Sequence, residues 1–273
     1  MNDTALPPCA LTVAGSDSGG GAGIQADLKT FAAHRVHGLS AIAALTAQHT
    51  RAVTAVHVPD VAFLRAQIDA CFDDFTIGAV KLGMLANAEV ILAVADALEH
   101  HKPKHVVLDP VMVSTSGARL LEASALDALR TRLLPMATLV TPNLPEAELL
   151  IGERIEDVDA MHGAIDALHA LGTKAVLLKG GHLPVDAARD EVVDLFADGD
   201  GVQAMTHARL KIDAHGTGCT LASAVAANLC LGRDLRDASI AAADYVHAAL
   251  RRGYRPGRGD VLVLDHFGTA PHG

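Results

Sequence analysis

The chain has 273 residues, half of them hydrophobic, with a formal net charge of −10 and only 3% aromatic residues. A nucleic-acid groove needs clustered Lys and Arg together with stacking aromatic side chains, so this composition disfavours nucleic acid and favours a small-molecule ligand. No apolar run approaches the roughly 20 residues of a membrane span and no basic leader opens the chain, so we expect no membrane association. Four cysteines without CxxC spacing are typical of a reducing compartment, and we expect a cytoplasmic protein.

The first predicted unit is a strand, a glycine-rich turn and a helix. An apolar run at 10–14 ends in the turn at 15–23, and a helical pattern follows at 24–35. In such a unit the ligand side lies at the carboxyl end of the strand. The turn has neither the GK[ST] of a P-loop nor the GxGxxG of a dinucleotide site. Asp27 lies at the edge of the apolar helix face, where a carboxylate either binds an amino group of a ligand or pairs with a neighbouring Lys or backbone N–H.

Strand and helix patterns then alternate along the chain. We predict strands at 40–49, 53–58, 79–83, 105–109, 137–141, 174–179, 191–196, 202–206 and 261–264, and helices at 59–75, 88–100, 124–134, 163–171, 217–231 and 235–252. This alternation indicates an α/β fold with a doubly wound, mostly parallel sheet. No linker is long enough to separate two domains, so we expect one domain over residues 1–273.

Polar side chains follow several of these strands. Gln48 ends one strand, Asp109 ends another before a proline, and Lys179 precedes two glycines, where a cation suits a triphosphate contact. Asn143 and Glu146, three residues apart at a strand end and a helix start, either organise water around Mg²⁺ or cap the helix. The sequence therefore predicts a polar site along one edge of the sheet.

The stretch from His215 to Thr220, His-Gly-Thr-Gly-Cys-Thr, leads directly into an Ala-rich helix. Two glycines permit a tight turn, and the helix start leaves N–H groups unpaired and carries roughly half a positive charge. We predict an anion hole for phosphate at this turn. The same field favours the thiolate of Cys219, whose ordinary pKa is about 8.5, so Cys219 is either a base or nucleophile or a small packing residue.

Taken together, these stretches resemble the hydroxymethylpyrimidine/phosphomethylpyrimidine kinases of thiamin biosynthesis, a branch of the ribokinase-like superfamily. The resemblance covers about residues 11–254 and rests on six stretches in the same order: 14–29, 81–84, 108–112, 141–146, 179–182 and 215–220. It implies a ribokinase-like three-layer α/β/α sandwich with a mostly parallel central sheet. The implied activity is MgATP-dependent phosphorylation of 4-amino-5-hydroxymethyl-2-methylpyrimidine to its monophosphate and then to the diphosphate.

The resemblance also implies a role for each matching residue. The pyrimidine pocket would be lined by Gly15, Ala22, Asp27, Gln48, Met84, Val111 and Cys219, with Asp27 and Gln48 on the aminopyrimidine edge. ATP would be contacted by Lys179, Asn143 and Thr217, and Mg²⁺ would be held through water by Asp109 and Glu146. The catalytic group would be Cys219 with the anion hole of Gly216, Thr217 and Gly218. Cys219 stands where most of the superfamily has an Asp base.

Other features of the resemblance concern assembly and the nucleotide pocket. A homodimer is implied, and assistance by K⁺ is left open. Members of the family often carry a Lys near the adenine in the last helix, whereas residues 241–245 here are Ala-Ala-Ala-Asp-Tyr.

Three other functions fit parts of the same pattern. A pyridoxal or pyridoxine kinase is the nearest, because an apolar pocket rejects a ring of similar shape only weakly. A ribokinase-like lyase that repairs hydrated nicotinamide cofactors resembles the chain less. A non-catalytic pyrimidine-binding sensor is disfavoured, because a sensor need not keep both the phosphate-binding and the metal-binding groups.

Overall fold

A computed structural model describes residues 6–112, 123–183 and 190–268. The strands are β1 (Cys9–Asp17), β2 (His37–His49), β3 (Ala52–His57), β4 (Ile77–Leu82), β5 (Val106–Leu108), β6 (Leu139–Val140), β7 (Val176–Leu178), β8 (Glu191–Asp198), β9 (Gly201–Ala208), β10 (Ala214–His215) and β11 (Leu262–Val263). The helices are α1 (Gly23–Ala33), α2 (Val61–Asp74), α3 (Ala88–His101), α4 (Ala123–Ala128), α5 (Leu144–Ile151), α6 (Val158–Ala170), α7 (Thr217–Cys230) and α8 (Leu235–Arg251). Each predicted strand and helix overlaps one of these elements.

One predicted helix is less regular than expected. The sequence pattern favours a single α-helix at 124–134, but α4 passes into a π-helical turn at Leu129–Leu133 and a 3-10 turn at Leu134–Met136. Pro135 lies inside the last turn, and its ring and missing N–H do not fit a helix interior. The regular helix therefore ends earlier than predicted.

Nine strands form one sheet in the order β3-β2-β1-β4-β5-β6-β7-β8-β9. The pairs from β2 through β7 are parallel, whereas β3, β8 and β9 pair antiparallel at the two edges. The chain leaves β1 toward β2 on one side and returns to β4 on the other. This reversal is a topological switch point, and ligands of doubly wound sheets bind outside the carboxyl ends of the strands there.

Helices cover both faces of the sheet, because side chains on each strand alternate between the faces. In β4, Val80 packs in the cluster beneath α2 to α6, whereas Ala79 packs beneath α1, α7 and α8. In β7, Val176 packs on the first of these faces and Leu177 on the second. The predicted three-layer α/β/α sandwich with a mostly parallel sheet is confirmed.

Within the described ranges, no helix is both long and apolar enough to cross a bilayer.

Candidate active site

A cavity of about 840 Å³ opens at the carboxyl edge of the parallel strands. It is bounded by the ends of β1, β4, β5, β6 and β7 and by the start of α7. All but one of the predicted site residues line it, namely Gly15, Ala22, Gln48, Met84, Asp109, Val111, Asn143, Glu146, Lys179, Gly216, Thr217, Gly218 and Cys219. The exception is Asp27. The sheet therefore brings residues more than 200 positions apart into one site.

Asp17, at the end of β1, holds the glycine-rich turn in place. Its Oδ1 accepts from the N–H of Gly19 at 2.8 Å, and its Oδ2 accepts from those of Gly21 at 3.0 Å and Ala22 at 2.9 Å. Nε2 of His215 lies 3.1 Å from the same Oδ2. Burial opposes the charge, but the hydrogen bonds from His215 and the backbone leave the pKa of Asp17 below its ordinary value. Sequence reasoning missed Asp17, although it is the only carboxylate in a turn rich in unpaired N–H groups.

The predicted anion hole lies at the start of α7. Gly216 precedes the helix with φ +88°, and no side chain caps the first turn. A Cβ atom on Gly216 would lie 1.9 Å from the carbonyl oxygen of Gly21, so only glycine fits this approach of two backbones. A Cβ on Gly218 would lie 3.1 Å from the Lys179 Nζ. The helix N–H groups and a lysine ammonium thus face the same part of the cavity, as phosphate binding requires.

A charged cluster lies beside this turn. Lys179 Nζ is 3.2 Å from Asp109 Oδ1 and 3.9 Å from Glu146 Oε2. Asn143 and Glu146 form a capping box at the start of α5, with Asn143 Oδ1 accepting from the Glu146 N–H and Glu146 Oε2 from the Asn143 N–H. Both residues therefore cap the helix, and the capping box uses only Oε2 of Glu146, so capping does not exclude the magnesium role. Burial raises the pKa of Glu146 to about 7; the Lys179 ammonium opposes this rise and the Asp109 charge adds to it.

The oxygens of this cluster fit a hydrated Mg²⁺ ion. Among the described residues, Asp109 Oδ2 is buried and has no hydrogen-bond partner, so this oxygen can accept from water or bind a cation. No group of three or more His, Cys, Asp or Glu side chains in the described residues is arranged to hold a metal alone. Mg²⁺ does not need such a group, since it keeps several waters and takes one or two carboxylates together with substrate phosphates.

Cys219 lies in the first turn of α7 and lines the cavity, but its thiolate is not favoured. Burial raises the pKa of Cys219 to about 12. The Lys81 ammonium acts against this rise, whereas the charges of Asp27 and Asp109 add to it. The expectation of a lowered pKa for Cys219 is wrong, because desolvation of the thiolate outweighs the attraction of the Lys81 ammonium. Cys219 is a neutral thiol at neutral pH.

Asp27 does not reach the cavity, so the prediction that it contacts the pyrimidine is wrong. Its side chain is fully buried, and its oxygens lie 2.9 and 3.0 Å from the Lys81 Nζ. The hydroxyls of Thr12 and Ser223 also donate to it, each at 2.7 Å. The alternative in which Asp27 pairs with a lysine is the correct one. The ion pair lies behind the cavity wall, and Lys81 itself borders the cavity.

Gln48, predicted to contact the pyrimidine, lines the cavity near the end of β2. Its carboxamide lies against Thr46 and His215. Met84, after β4, lies close to the Gly15 backbone, since a Cβ on Gly15 would be 3.2 Å from the Met84 sulfur. The cavity is thus lined by a polar carboxamide and an apolar thioether, the side-chain types expected around a flat polar ring.

The comparisons with known proteins decide the family. Residues 17–264 match the family model described as phosphomethylpyrimidine kinase. The chain belongs to this family. It is 49% identical over 258 residues to the hydroxymethylpyrimidine/phosphomethylpyrimidine kinase of Rhizobium meliloti, covering 92% of this chain and 95% of that protein. It is also 48% identical over 250 residues, 91% of this chain, to the thiamine biosynthesis bifunctional protein ThiED of Geobacter sulfurreducens, of whose length it spans 50%.

Solved structures agree with this assignment to the phosphomethylpyrimidine kinases. The phosphomethylpyrimidine kinase of Clostridium difficile superposes with a TM-score of 0.79 at 40% identity, covering 89% of this chain and 99% of the other. The pyridoxal kinase of Staphylococcus aureus, solved with AMP-PCP and pyridoxal, superposes with a TM-score of 0.87 at 31% identity, covering 97% and 96%.

The outer wall of the cavity is built by α8 in this member of the phosphomethylpyrimidine kinases. Ala243, Val246 and His247 line the cavity there. The ring of His247 lies 5.0 Å from that of His207, whose Nε2 is 2.9 Å from Asp244 Oδ1. Small and imidazole side chains thus occupy the part of the helix where the resemblance implied a lysine.

Proposed function

We propose that this chain uses MgATP to phosphorylate 4-amino-5-hydroxymethyl-2-methylpyrimidine and then its monophosphate, in thiamine biosynthesis. The observation that supports this most is one cavity lined by two chemically different sets of residues. Gln48 and Met84 suit a flat polar ring, and Lys179 with the start of α7 suits phosphates. Cys219 lines the same cavity.

The proposed chemistry depends on positioning and on charge stabilisation. In the first step the substrate hydroxyl oxygen attacks the γ-phosphorus of ATP, the bond from phosphorus to the ADP oxygen breaks, and the hydroxyl proton passes to solvent. In the second step a phosphate oxygen of the monophosphate attacks in the same way. Phosphoryl transfer of this kind asks little covalent chemistry of the protein. The N–H groups of Gly218 and Cys219 and the Lys179 ammonium stabilise the negative charge that builds on the transferred oxygens. Cys219, a neutral thiol, orients the attacking oxygen in both steps and does not remove a proton in advance.

Asp109 and Glu146 would hold the Mg²⁺ that accompanies ATP, through water molecules. When bound, the ion neutralises phosphate charge. The raised pKa of Glu146, about 7, belongs to a buried carboxyl beside Asp109, and a cation nearby favours its ionised form. Asn143, through the capping box, fixes the direction of the Glu146 side chain. This cluster is therefore set to bind a metal–phosphate complex and not a bare ion.

A pyridoxal kinase is the second candidate, because solved pyridoxal kinases superpose with TM-scores of 0.86 and 0.87. The test is an ADP-release assay with MgATP and, in parallel, hydroxymethylpyrimidine, its monophosphate, pyridoxine and pyridoxal, with products identified by mass. We expect turnover of both pyrimidines well above the pyridines. Turnover of the pyridines alone would assign the site to vitamin B6 chemistry, and turnover of none would favour the sensor.

The proposal also includes a cytoplasmic homodimer. All four cysteines, Cys9, Cys71, Cys219 and Cys230, are free thiols, as in a reducing compartment. Light scattering of the purified protein tests the dimer.

A further inference from the structure

The Gln48 carboxamide lies where several polar groups meet at the cavity wall. Its Nε2 is 2.9 Å from Nε2 of His215, and its Oε1 is 3.0 Å from Oγ1 of Thr46. The same His215 nitrogen is 3.1 Å from Asp17 Oδ2. Thr46 Oγ1 is also 2.8 Å from the carbonyl oxygen of Ser16. These contacts decide whether the amide oxygen or the amide nitrogen of Gln48 lies beside each neighbour.

The imidazole of His215 constrains one end of the carboxamide. Asp17 is ionised, because its pKa lies below the ordinary value, and a carboxylate only accepts hydrogen bonds. The Nε2 of His215 facing it must therefore carry a proton. This single N–H is shared between Asp17 Oδ2 at 3.1 Å and the carboxamide atom at 2.9 Å. The carboxamide atom beside it must then be an acceptor, which is the amide oxygen. A rotation of 180° about the last bond of Gln48 exchanges its oxygen and nitrogen, and the hydrogen-bond partners decide between the two orientations.

Thr46 constrains the other end in the same direction. Its single hydroxyl proton is donated to the Ser16 carbonyl oxygen, the shorter of its two contacts. The Thr46 oxygen then remains an acceptor and needs a donor, which the amide NH₂ of Gln48 supplies. Both neighbours thus favour one orientation, with the oxygen toward His215 and the nitrogen toward Thr46. One N–H and one oxygen lone pair of the carboxamide remain for the cavity.

We propose that His215, backed by Asp17, is a positioning residue that fixes the orientation of the Gln48 carboxamide and so selects a ring nitrogen with an adjacent amino group. The inference rests on the proposed function, since it names how that site recognises its pyrimidine. A Gln amide pairs bidentately with adenine through a ring nitrogen and an exocyclic amine, and the aminopyrimidine edge has the same pattern. The pyridine nitrogen of pyridoxal has no amine beside it.

The test compares hydroxymethylpyrimidine with its analogue that lacks the 4-amino group. We expect the wild-type protein to prefer the amine-bearing substrate about 10- to 100-fold in kcat/KM, as a bidentate pair discriminates. His215→Leu removes the donor, and the preference should fall at least about fivefold through a higher KM for the amine-bearing substrate. His215→Gln places an amide N–H at similar reach and should restore most of it. If His215→Leu does not fold, His215→Asn, whose amide is too short to reach Gln48, replaces it.

A double-mutant cycle separates positioning from a merely structural role. On a Gln48→Leu background, His215→Leu should cause no further loss of preference, because the residue that it positions is absent. Equal losses on both substrates, or losses that multiply with Gln48→Leu, would overturn the inference. ADP affinity serves as the control for folding. Calorimetry measures the same preference as a ratio of dissociation constants, even where turnover is absent. Failure of the proposed kinase activity can therefore be told apart from failure of this inference.

Discussion

Replacing Lys81 by Met should destabilise the protein by several kcal/mol at neutral pH, because it leaves Asp27 without a counter-ion. Both side chains are fully buried, and the Nζ lies 2.9 Å from Asp27 Oδ1. Removing one partner of a buried pair costs about 3–5 kcal/mol. Protonation of Asp27 limits this cost, because protonating at pH 7 a carboxyl whose ordinary pKa is 3.8 costs about 4 kcal/mol at 1.36 kcal/mol per pH unit. We therefore expect a loss of about 3–4 kcal/mol at pH 7.

The cost of protonating Asp27 also determines how the loss of stability depends on pH. In Lys81→Met the pKa of Asp27 is raised above its unfolded value, so the loss shrinks as the pH falls toward that unfolded value. At pH 5 the limit is about 1.6 kcal/mol. Urea unfolding at both pH values measures this. Asp27→Asn/Lys81→Met is the matched control, because it removes both charges and keeps an acceptor for Thr12 and Ser223, and it should recover most of the stability. A loss below about 1 kcal/mol at pH 7, or one that is unchanged at pH 5, would refute the reasoning.

Three further predictions follow from single residues. Cys219→Ala should lower kcat up to about 100-fold, because the attacking oxygen loses its positioning contact, and should leave ADP affinity unchanged. Iodoacetamide labelling of Cys219 should still be rising at pH 9.5, where an ordinary thiol of pKa about 8.5 has levelled off. A collapse of ADP affinity, or labelling that levels off early, would contradict the role and the protonation state assigned to Cys219. Gly216→Ala should abolish turnover and destabilise the fold more than Gly232→Ala. Gly232 is the matched control, because it has a similar φ of +85° but open space around it. Equal losses of stability in thermal unfolding would show that the close approach of Gly216 to Gly21 is unimportant. Burial lowers the pKa of His266 to about 4. As the pH falls, the unfolded chain binds the proton first, so the free energy of unfolding should fall by about 2 kcal/mol between pH 7 and pH 5. In urea unfolding, His266→Gln should lose about 2 kcal/mol less than the wild type over this range, and equal losses would contradict the burial argument.

The sequence was most informative where chemistry is local. Apolar runs of four to six residues predicted the parallel strands, since strands covered on both faces are nearly continuously apolar. Gly216 and Gly218 predicted the tight turn at the start of α7, because such a turn is specified by neighbouring residues. Lys179 and Asp109 were placed at the site by the rule that strand ends meet at one edge of the sheet.

Partners distant in sequence could not be predicted from local patterns. The helical period placed Asp27 beside an apolar face and required a partner for it, but Lys81 lies 54 positions away. The helix field on Cys219 was visible in the sequence, whereas its burial depends on packing that only the folded chain shows. Asp17 and His215 are 198 positions apart, and their contact depends on the return of the chain to β1.

The most direct test of the proposed function is a time course of hydroxymethylpyrimidine with MgATP and the purified protein, followed by ³¹P NMR. The account predicts that the monophosphate appears first and is then consumed as the diphosphate accumulates, and that Cys219→Ala slows both steps. Phosphorylation that stops at the monophosphate, or no phosphorylated pyrimidine while pyridoxal is phosphorylated, would contradict it.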